Sequence, residues 1–258
     1  MEKPSLNDLS KLLKTRRIGQ EAVYYPTLPS TMDAAREKAR LGAAEGTVII
    51  AGEQTAGRGR LKRRWLTPEG NIALSIILRP DNASLPYLIM IASLAAARSI
   101  ETVAGQKTQI KWPNDILIAG KKVCGILIEN ELKGNKVDFS ITGIGINVDL
   151  NPADHQDIAE TAASLAAKQN DDLRLDLIKA LLQEFDILYL QLPDGKPIFE
   201  AWRRKLVTLG QEVKATWGKQ VIEGMAEDVD ESGALLIRDA HGDLIKVVAG
   251  DVTLREQG

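Results

Sequence analysis

The sequence predicts a mixed α/β domain up to about residue 208 and a small all-β barrel of about 50 residues after it. Three observations support this fold class. The first part alternates β-rich runs with segments of helical apolar spacing. After Leu209-Gly210 only short strands follow, separated by Gly or Asp turns. Hydrophobic residues make up 44% of the 258, which is enough for a sizeable core. The predicted domains are therefore residues 1–208 and 209–258.

The elements of the first domain follow from these patterns in chain order. β-rich runs predict strands at 22–28, 47–54, 71–80 and 137–148, and a strand–turn–strand–turn–strand unit over 109–132. Helical apolar spacing predicts helices at 6–19, 33–41, 85–104, 174–192 and 199–206, with a loop and short helix between 151 and 172. Gly19 is the expected stop of the first helix, and a hydroxyl of Ser30 or Thr31 is the expected cap of the second.

Composition excludes several classes of protein. The 33 basic and 35 acidic residues leave a net charge of −2, which argues against a generally basic nucleic-acid-binding surface and against an acidic disordered chain. The single cysteine, Cys124, excludes an internal disulfide framework and a multi-Cys zinc site. Residues 1–19 lack the apolar run of a signal peptide, and the apolar stretch 85–97 is too short to span a bilayer. We expect a cytoplasmic protein without membrane contact.

A glycine-rich basic loop is the first candidate for chemistry. Five cationic residues fall within the seven positions from Arg58 to Arg64. Gly57 and Gly59 allow close approach of the backbone to a ligand, and Arg offers planar forks to phosphate or carboxylate. Trp65 can stack on a nucleobase. The same run is also typical of a solvated basic loop or of a nuclear-localisation-like segment.

Three further segments carry candidate site residues. In Lys111-Trp112-Pro113-Asn114-Asp115 the lysine can hold anionic oxygens. The Asn and Asp can bind a hydroxyl, an amine or Mg²⁺ through water. Pro-Asn-Asp is also typical of an ordinary turn. Lys122 begins a returning strand and points into a pocket or stays at a solvent-facing turn. Glycines in the strand 143–147 indicate either close ligand approach or a bulge.

Taken in order, these segments resemble the biotin protein ligases. The resemblance rests on Ser30-Thr31 before a helix, EQTAGRGR…RW, GNIALSI, KWPNDI, GKKVCGIL, GIGINV and the C-terminal barrel. It implies a mixed, mostly antiparallel sheet with helices on one side, as in class II synthetases, and an SH3-like barrel. It also implies that biotin and ATP, with Mg²⁺, give biotinyl-5′-AMP and pyrophosphate. The adenylate then acylates a specific lysine of a biotin carboxyl carrier protein, as in acetyl-CoA carboxylase.

The resemblance also implies roles for individual residues. Biotin binding falls to Ser30, Thr31, Gln54, Gly57, Arg58, Lys122, Gly125 and Gly145. ATP and adenylate binding falls to Arg58, Arg60, Arg63, Trp65, Lys111, Asn114 and Asn147. The expected catalytic residues are Lys122, Arg60 and Asp115. No residue is assigned to a metal, because Mg²⁺ is expected to be held through the phosphates.

The sequence departs from the family pattern at three places. Met32 stands where many members have Asn, and Lys62 stands where Gly is frequent. About 22 residues precede Val23, too few for a helix-turn-helix domain, so no specific DNA binding is expected. The family commonly forms homodimers by joining sheet edges, which is a further expectation here. The nearest alternative activity is lipoate or octanoate transfer on the same fold; a nucleic-acid-binding module is the alternative from another class.

Overall fold

The computed structural model describes residues 6–165, 171–217 and 220–254. Its main feature is a seven-stranded mixed sheet with the order β1-β2-β3-β7-β6-β5-β4. Only β1 and β2 pair in parallel among these strands. The strands are β1 (Ala22–Leu28), β2 (Val48–Gln54), β3 (Ile72–Leu78), β4 (Gln109–Lys111), β5 (Asp115–Ile118), β6 (Lys121–Lys133) and β7 (Lys136–Ile146). The predicted mixed, mostly antiparallel fold class is confirmed.

Five α-helices and several short 3₁₀ turns accompany this sheet in the described residues. The helices are α1 (Leu9–Leu12), α2 (Thr31–Arg40), α3 (Leu85–Ala104), α4 (Asp171–Tyr189) and α5 (Lys196–Lys205). Turns of 3₁₀ helix lie at Leu6–Asp8, Arg60–Lys62, Asn82–Ser84, Pro152–Asp154 and Leu192–Asp194. Between 151 and 165 only the 3₁₀ turn stands where a short helix was predicted, and residues 166–170 lie outside the described ranges.

The helices cover both faces of the sheet, which corrects the expectation that they lie on one side. Val48 and Ile50 of β2 pack in the core that contains α3 and α4, whereas Ile49 packs with Met32 and Ala35 of α2. Helix α5 packs on α3, on the same side as α4. Because successive strand residues point to opposite faces, the continuous apolar run of β2 needs a cover on each side. Helix α2 supplies the second cover.

Helix α3 is the core helix of the fold, as predicted. It has a proline in its first turn and ends at Gly105, whose φ of +66° favours glycine. Asn82–Ala104 is the one segment of the described chain that is long and apolar enough to cross a membrane, and 61% of its most apolar stretch is buried inside the protein. Its apolar character is therefore explained by packing against the sheet and α4.

A buried carboxylate ends the first helix earlier than the sequence predicts. Helix α1 ends at Leu12, and Gly19 lies beyond a turn with a φ of +79°. The carboxylate of Asp186 in α4 accepts hydrogen bonds from the backbone N–H groups of Arg16, Arg17 and Ile18, each at 2.8 Å. These three donors are therefore unavailable for helical bonds, and the chain runs on as a loop fixed to α4.

The C-terminal part is a five-stranded antiparallel sheet with the order β11-β10-β9-β8-β12. Its strands are β8 (Glu212–Trp217), β9 (Gln220–Val229), β10 (Leu235–Arg238), β11 (Leu244–Val247) and β12 (Asp251–Leu254). All five strands of the predicted small barrel are present. The buried Trp112 donates from its indole Nε1 to the carbonyl of Gly233 at 2.9 Å, and Val213 and Ala215 belong to the same apolar cluster as α3. The two sheets therefore share one core.

We predict that Asp186→Ala lowers the free energy of unfolding by about 3 kcal/mol, because it leaves buried N–H donors without their charged acceptor. Urea unfolding measures this change. Asp176→Ala is the control, since Asp176 lies on the same helix but makes an exposed pair with Lys179. We expect that control to unfold like the parent protein. Equal stability of all three proteins would contradict the anchoring role of Asp186.

Candidate active site

The floor of the main cavity is one cross-strand row of the large sheet. The register places Ala73 opposite Gly145, Gly145 opposite Gly125, Gly125 opposite Asp115, and Asp115 opposite Lys111. Residues in such a row share one face of a sheet. Gly145 and Gly125 therefore form a flat floor without side chains, and the row continues to the carboxylate of Asp115 and the ammonium group of Lys111. The cavity above it has a volume of about 650 Å³.

The indole of Trp65 lies directly on this glycine floor. A methyl group on Gly125 would lie 3.0 Å from the ring of Trp65, and one on Gly145 would overlap the indole. The ammonium of Lys122 lies 5.2 Å from the centre of the same ring. The aromatic side chain predicted to stack on adenine therefore covers the glycines predicted to line the biotin pocket. Any ligand that rests on the two glycines must displace the indole.

Uncharged polar groups lie at one end of the cavity. The backbone N–H of Thr31 donates to Gln54 Oε1 at 2.8 Å, and Ser75 Oγ donates to Thr31 Oγ1 at 2.8 Å. Ser30 is the N-cap residue of α2, as predicted, but its hydroxyl makes no capping bond. Ser30 Oγ is buried and has no hydrogen-bond partner within the described chain. Its hydroxyl is therefore available for a polar ligand in the cavity.

Cationic groups lie at the other end. Lys122 Nζ pairs with Asp115 Oδ1 at 2.6 Å, and its backbone is bonded to Thr161 and Ala163 on a neighbouring segment. Burial lowers the pKa of Lys111, although Asp115 partly offsets this effect. Burial likewise lowers the pKa of Arg60, and Asp251 and Asp115 oppose that shift. These groups hold positive charge where solvent stabilises it poorly, which favours an anionic ligand.

The motif from Lys111 to Asp115 contributes side chains both to the cavity and to the hydrophobic core. Lys111, Asn114 and Asp115 line the cavity, whereas Trp112 is buried in the core that joins the two sheets. Residues 112–114 do form the turn between β4 and β5 that Pro-Asn-Asp favours, but Trp112 and Asn114 in this turn are buried. Asn114 Nδ2 donates to the carbonyl of Ile126 at 2.7 Å. Both ends of this amide are engaged, because its oxygen accepts from Arg60.

The basic loop folds as a small hairpin over the cavity. Trp65 N–H donates to the carbonyl of Gly57 at 2.9 Å, and Gly59 N–H donates to that of Arg63 at 2.7 Å. Leu61 at the tip has a φ of +53°. A methyl group on Gly57 would overlap the carbonyl of Trp65, so the hairpin needs glycine there. Gly57 accepts a backbone hydrogen bond within the hairpin and does not line the cavity.

Two arginines of the hairpin join it to the C-terminal sheet. Arg60 donates to Asn114 Oδ1 at 2.9 Å and to the carbonyl of Gly250 at 2.8 Å. Arg63 forms an ion pair with Asp251 of β12. No local sequence pattern predicts this use of Gly250 and Asp251, because the contact of Arg60 with Gly250 joins residues 190 positions apart.

The remaining predicted site residues have structural partners. Arg58 lines the cavity, but its guanidinium bonds to Glu129 at 2.7 Å and to Asp33 at 2.5 Å. Hydrogen bonds and charge from these two carboxylates outweigh the effect of burial and raise the pKa of Arg58. Asn147 Nδ2 donates to the carbonyl of Ala163 at 3.0 Å and so fixes the segment beside Lys122.

The described residues contain no group of three or more His, Cys, Asp or Glu side chains placed to hold a metal ion. Cys124 is fully buried, and burial raises the pKa of its thiol, as expected for a packing residue.

Comparison with known proteins identifies the family. A model described as the biotin/lipoate A/B protein ligase family matches residues 24–147, and one described as the biotin protein ligase C terminal domain matches residues 208–255. The bifunctional ligase/repressor BirA of Bacillus subtilis is 38% identical over 249 residues, with 94% of this chain and 76% of that protein covered. The chain belongs to the biotin protein ligase family. It is therefore an enzyme that ligates biotin.

Two other biotin protein ligases show the same relationship. The biotin–[acetyl-CoA-carboxylase] ligase of Paracoccus denitrificans is 33% identical over 205 residues, which cover 75% of this chain and 85% of that protein. The solved biotin protein ligase from Aquifex aeolicus in complex with biotin and ATP aligns with a TM-score of 0.71 and 27% identity. That alignment covers 92% of this chain and 100% of the Aquifex chain. This chain therefore shares its fold with the Aquifex ligase over nearly the whole length of both chains.

We predict that Asp251→Asn loosens the basic hairpin, because it removes the charge that pairs with Arg63. Trypsin cleavage within 57–65 of the empty ligase should become about fivefold faster, as expected when an ion pair worth about 1 kcal/mol is lost. Glu223→Gln is the control, since Glu223 pairs with Lys214 across β8 and β9 of the same sheet. If Asp251→Asn and the control are cleaved equally fast, the C-terminal sheet does not restrain the hairpin.

Proposed function

We propose that this ligase acts in two steps. A carboxylate oxygen of biotin attacks the α-phosphorus of ATP, the bond to pyrophosphate breaks, and biotinyl-5′-AMP forms. The amine of a lysine on a biotin carboxyl carrier protein then attacks the acyl carbon, AMP leaves, and the amine loses a proton. The supporting observation is the polarity of the cavity. Uncharged hydrogen-bonding groups lie at one end and cations at the other, on either side of a glycine floor.

The polar end suits the ureido ring of biotin. A ureido group carries two N–H donors and a carbonyl acceptor, and the Ser30 hydroxyl can both donate and accept. Thr31 and Gln54 are already linked to each other and hold this end in place. Gly125 and Gly145 then support the apolar ring and chain of biotin, because they leave room on the floor. Trp65 must move off the floor when biotin binds, and its free indole then stacks on adenine.

The cationic end suits the reacting anions. Bringing a carboxylate against a triphosphate costs repulsion, so fixed positive charge and alignment supply most of the catalysis. Lys122 lies where the carboxylate and the acyl phosphate form, and Arg60, Arg63 and Lys111 surround the phosphates. No nucleophilic side chain is needed. Asp115 pairs with Lys122 and lies on the floor, where it can orient the incoming amine and accept its proton.

Mg²⁺ enters this scheme with ATP. Asn114 Oδ1 accepts from Arg60, Asp115 Oδ1 pairs with Lys122, and the described residues contain no cluster of three or more His, Cys, Asp or Glu side chains placed for a metal ion. Phosphate oxygens are the natural ligands for Mg²⁺ in such sites, and the ion neutralises their charge. We therefore treat MgATP as the substrate and assign no protein ligand to the metal.

The acceptor, the domain division and the location follow from the family. Related ligases are named for acetyl-CoA carboxylase, so the carrier domain of such a carboxylase is the proposed acceptor. Residues 1–208 would form the catalytic domain and residues 209–258 the C-terminal domain, which contributes Asp251 to the cavity wall. The proposed acceptor carboxylase and the substrate ATP are both found inside the cell, so we propose a cytoplasmic location.

Exchange of labelled pyrophosphate into ATP tests the first step. We expect exchange with biotin and none without it. Exchange that depends on lipoate or octanoate instead would overturn the assignment in favour of the lipoate branch of the wider family. Transfer of biotin from the purified adenylate to a carrier domain then tests the second step.

We predict that Lys122→Ala lowers biotin-dependent pyrophosphate exchange by roughly two to three orders of magnitude, the scale seen when a charge-stabilising donor is removed from an active site. Lys121→Ala is the control, because Lys121 is the exposed neighbour at the same turn. We expect it to keep the parent rate. A near-normal rate in Lys122→Ala would remove Lys122 from the mechanism.

We predict an alkaline loss of ATP affinity that depends on Lys111. Its pKa lies below the ordinary 10.5, so rising pH deprotonates it earlier than a surface lysine and removes its attraction for phosphate. As the pH is raised, the KM for ATP should therefore begin to increase before the pH reaches 10.5. Lys111→Arg should abolish this increase because Arg stays protonated. Lys107→Arg, at an exposed position, is the control. An unchanged alkaline rise in Lys111→Arg would rule out this role.

A further inference from the structure

A second set of ion pairs joins the basic hairpin to α2 and β6. Arg58 donates from Nη1 to Glu129 Oε1 at 2.7 Å and from Nη2 to Glu129 Oε2 at 3.3 Å. The same Nη2 donates to Asp33 Oδ1 at 2.5 Å. Arg36 also bonds to both carboxylates, at 3.0 Å to Asp33. Two arginines and two carboxylates therefore form a closed network with no net charge.

The two carboxylates belong to rigid elements of the catalytic sheet. Glu129 lies in the long strand β6, on the same face as Gly125, and Asp33 lies in the first turn of α2. Side chains of Arg58, Arg36 and Glu129 are 30%, 25% and 27% exposed, whereas that of Asp33 is 58% exposed. Partial burial and shared hydrogen bonds make this network stronger than an isolated surface pair. Arg58 thus ties the start of the hairpin to the sheet beside the floor.

The network changes the role that the sequence suggested for Arg58. Its charge is balanced by two carboxylates and its guanidinium donates to them, so it adds little attraction for a carboxylate or phosphate in the cavity. Arg60, Arg63, Lys111 and Lys122 are the cations at the other end of the cavity.

We infer that Glu129 and Asp33 are positioning residues, which act through Arg58 to hold the basic hairpin over bound biotin and its adenylate. This inference rests on the proposed function. Its consequence is that neutralising either carboxylate frees the hairpin at its first anchor, while Arg60 and Arg63 keep their bonds to Gly250 and Asp251. Biotin is then held less tightly and the adenylate escapes faster, but adenylation of bound biotin proceeds at a similar rate.

The test compares Glu129→Gln and Asp33→Asn with a matched control, Glu131→Gln. Glu131 lies two positions further along β6 and pairs with Arg40 of α2 at 3.0 Å, so the control removes an equivalent link between α2 and the sheet without touching the hairpin. In the empty protein, amide hydrogen exchange at 57–65 should become faster in both variants and stay unchanged in the control. Thermal unfolding checks that all proteins are folded.

Kinetics give the second readout. We expect Glu129→Gln to raise the KM for biotin about tenfold, as for the loss of a charged hydrogen bond. The kcat for pyrophosphate exchange should stay within about twofold of the parent, since only binding is affected. Biotinylation of serum albumin, which reports escaped adenylate, should increase. If the carboxylate acts through Arg58, the double variant Arg58→Met/Glu129→Gln should be no worse than Arg58→Met alone.

Each outcome decides between the alternatives. Parent-like hairpin exchange and KM for biotin in Glu129→Gln would overturn the inference, as would fully additive effects in the double variant. The same changes in Glu131→Gln would show that any link between α2 and β6 suffices, which also overturns it. A parent protein without biotin-dependent pyrophosphate exchange refutes the proposed function instead, and amide exchange of the empty protein then still decides whether the network holds the hairpin.

Discussion

The register between β6 and β7 is the constraint on which the site depends. It sets Gly125 opposite Gly145 and continues the row to Asp115 and Lys111, so a flat floor and two charged groups arise from one pairing. A slip of one residue would turn every side chain of β6 to the other face and bring Ile126 onto the floor. The core on the α3 side opposes that slip, because Ile126 is buried there and would lose its apolar partners on the cavity side. The core thus stabilises the geometry of the site.

Charge in the cavity is arranged around this floor. The net charge of −2 conceals a hairpin of clustered cations, which would repel one another if they stood alone. Each of three arginines has a distinct acceptor: Arg58 bonds to the catalytic sheet, Arg60 to Gly250 and Arg63 to Asp251. The hairpin therefore spans the gap between the two sheets. The cations can lie over the floor because both sheets supply acceptors for them.

Sequence patterns predicted the elements and the motifs better than the contacts between them. The apolar run of α3 was predicted from its periodicity. The glycines of β7 and the Lys111-Trp112-Pro113 motif each allowed a second interpretation, and only the resemblance to the biotin protein ligases assigned them to a site. The end of α1 was placed too late because its donors are captured by Asp186, far along the chain. The same limit applies to Asp251 and Glu129, whose partners become neighbours only after the sheets have assembled. A hydroxyl of Ser30 or Thr31 was expected to cap α2, but the N-cap residue Ser30 makes no side-chain capping bond and lines the cavity.

The central claim is that the glycine floor on which the indole of Trp65 lies is the place where biotin binds. A crystal structure of the protein with biotinyl-5′-AMP tests it directly. The account predicts that the biotin ring rests on Gly125 and Gly145, near Ser30 and Lys122, with the indole of Trp65 moved against adenine. An indole that stays on Gly145, with the adenylate bound elsewhere in the cavity, would contradict the account.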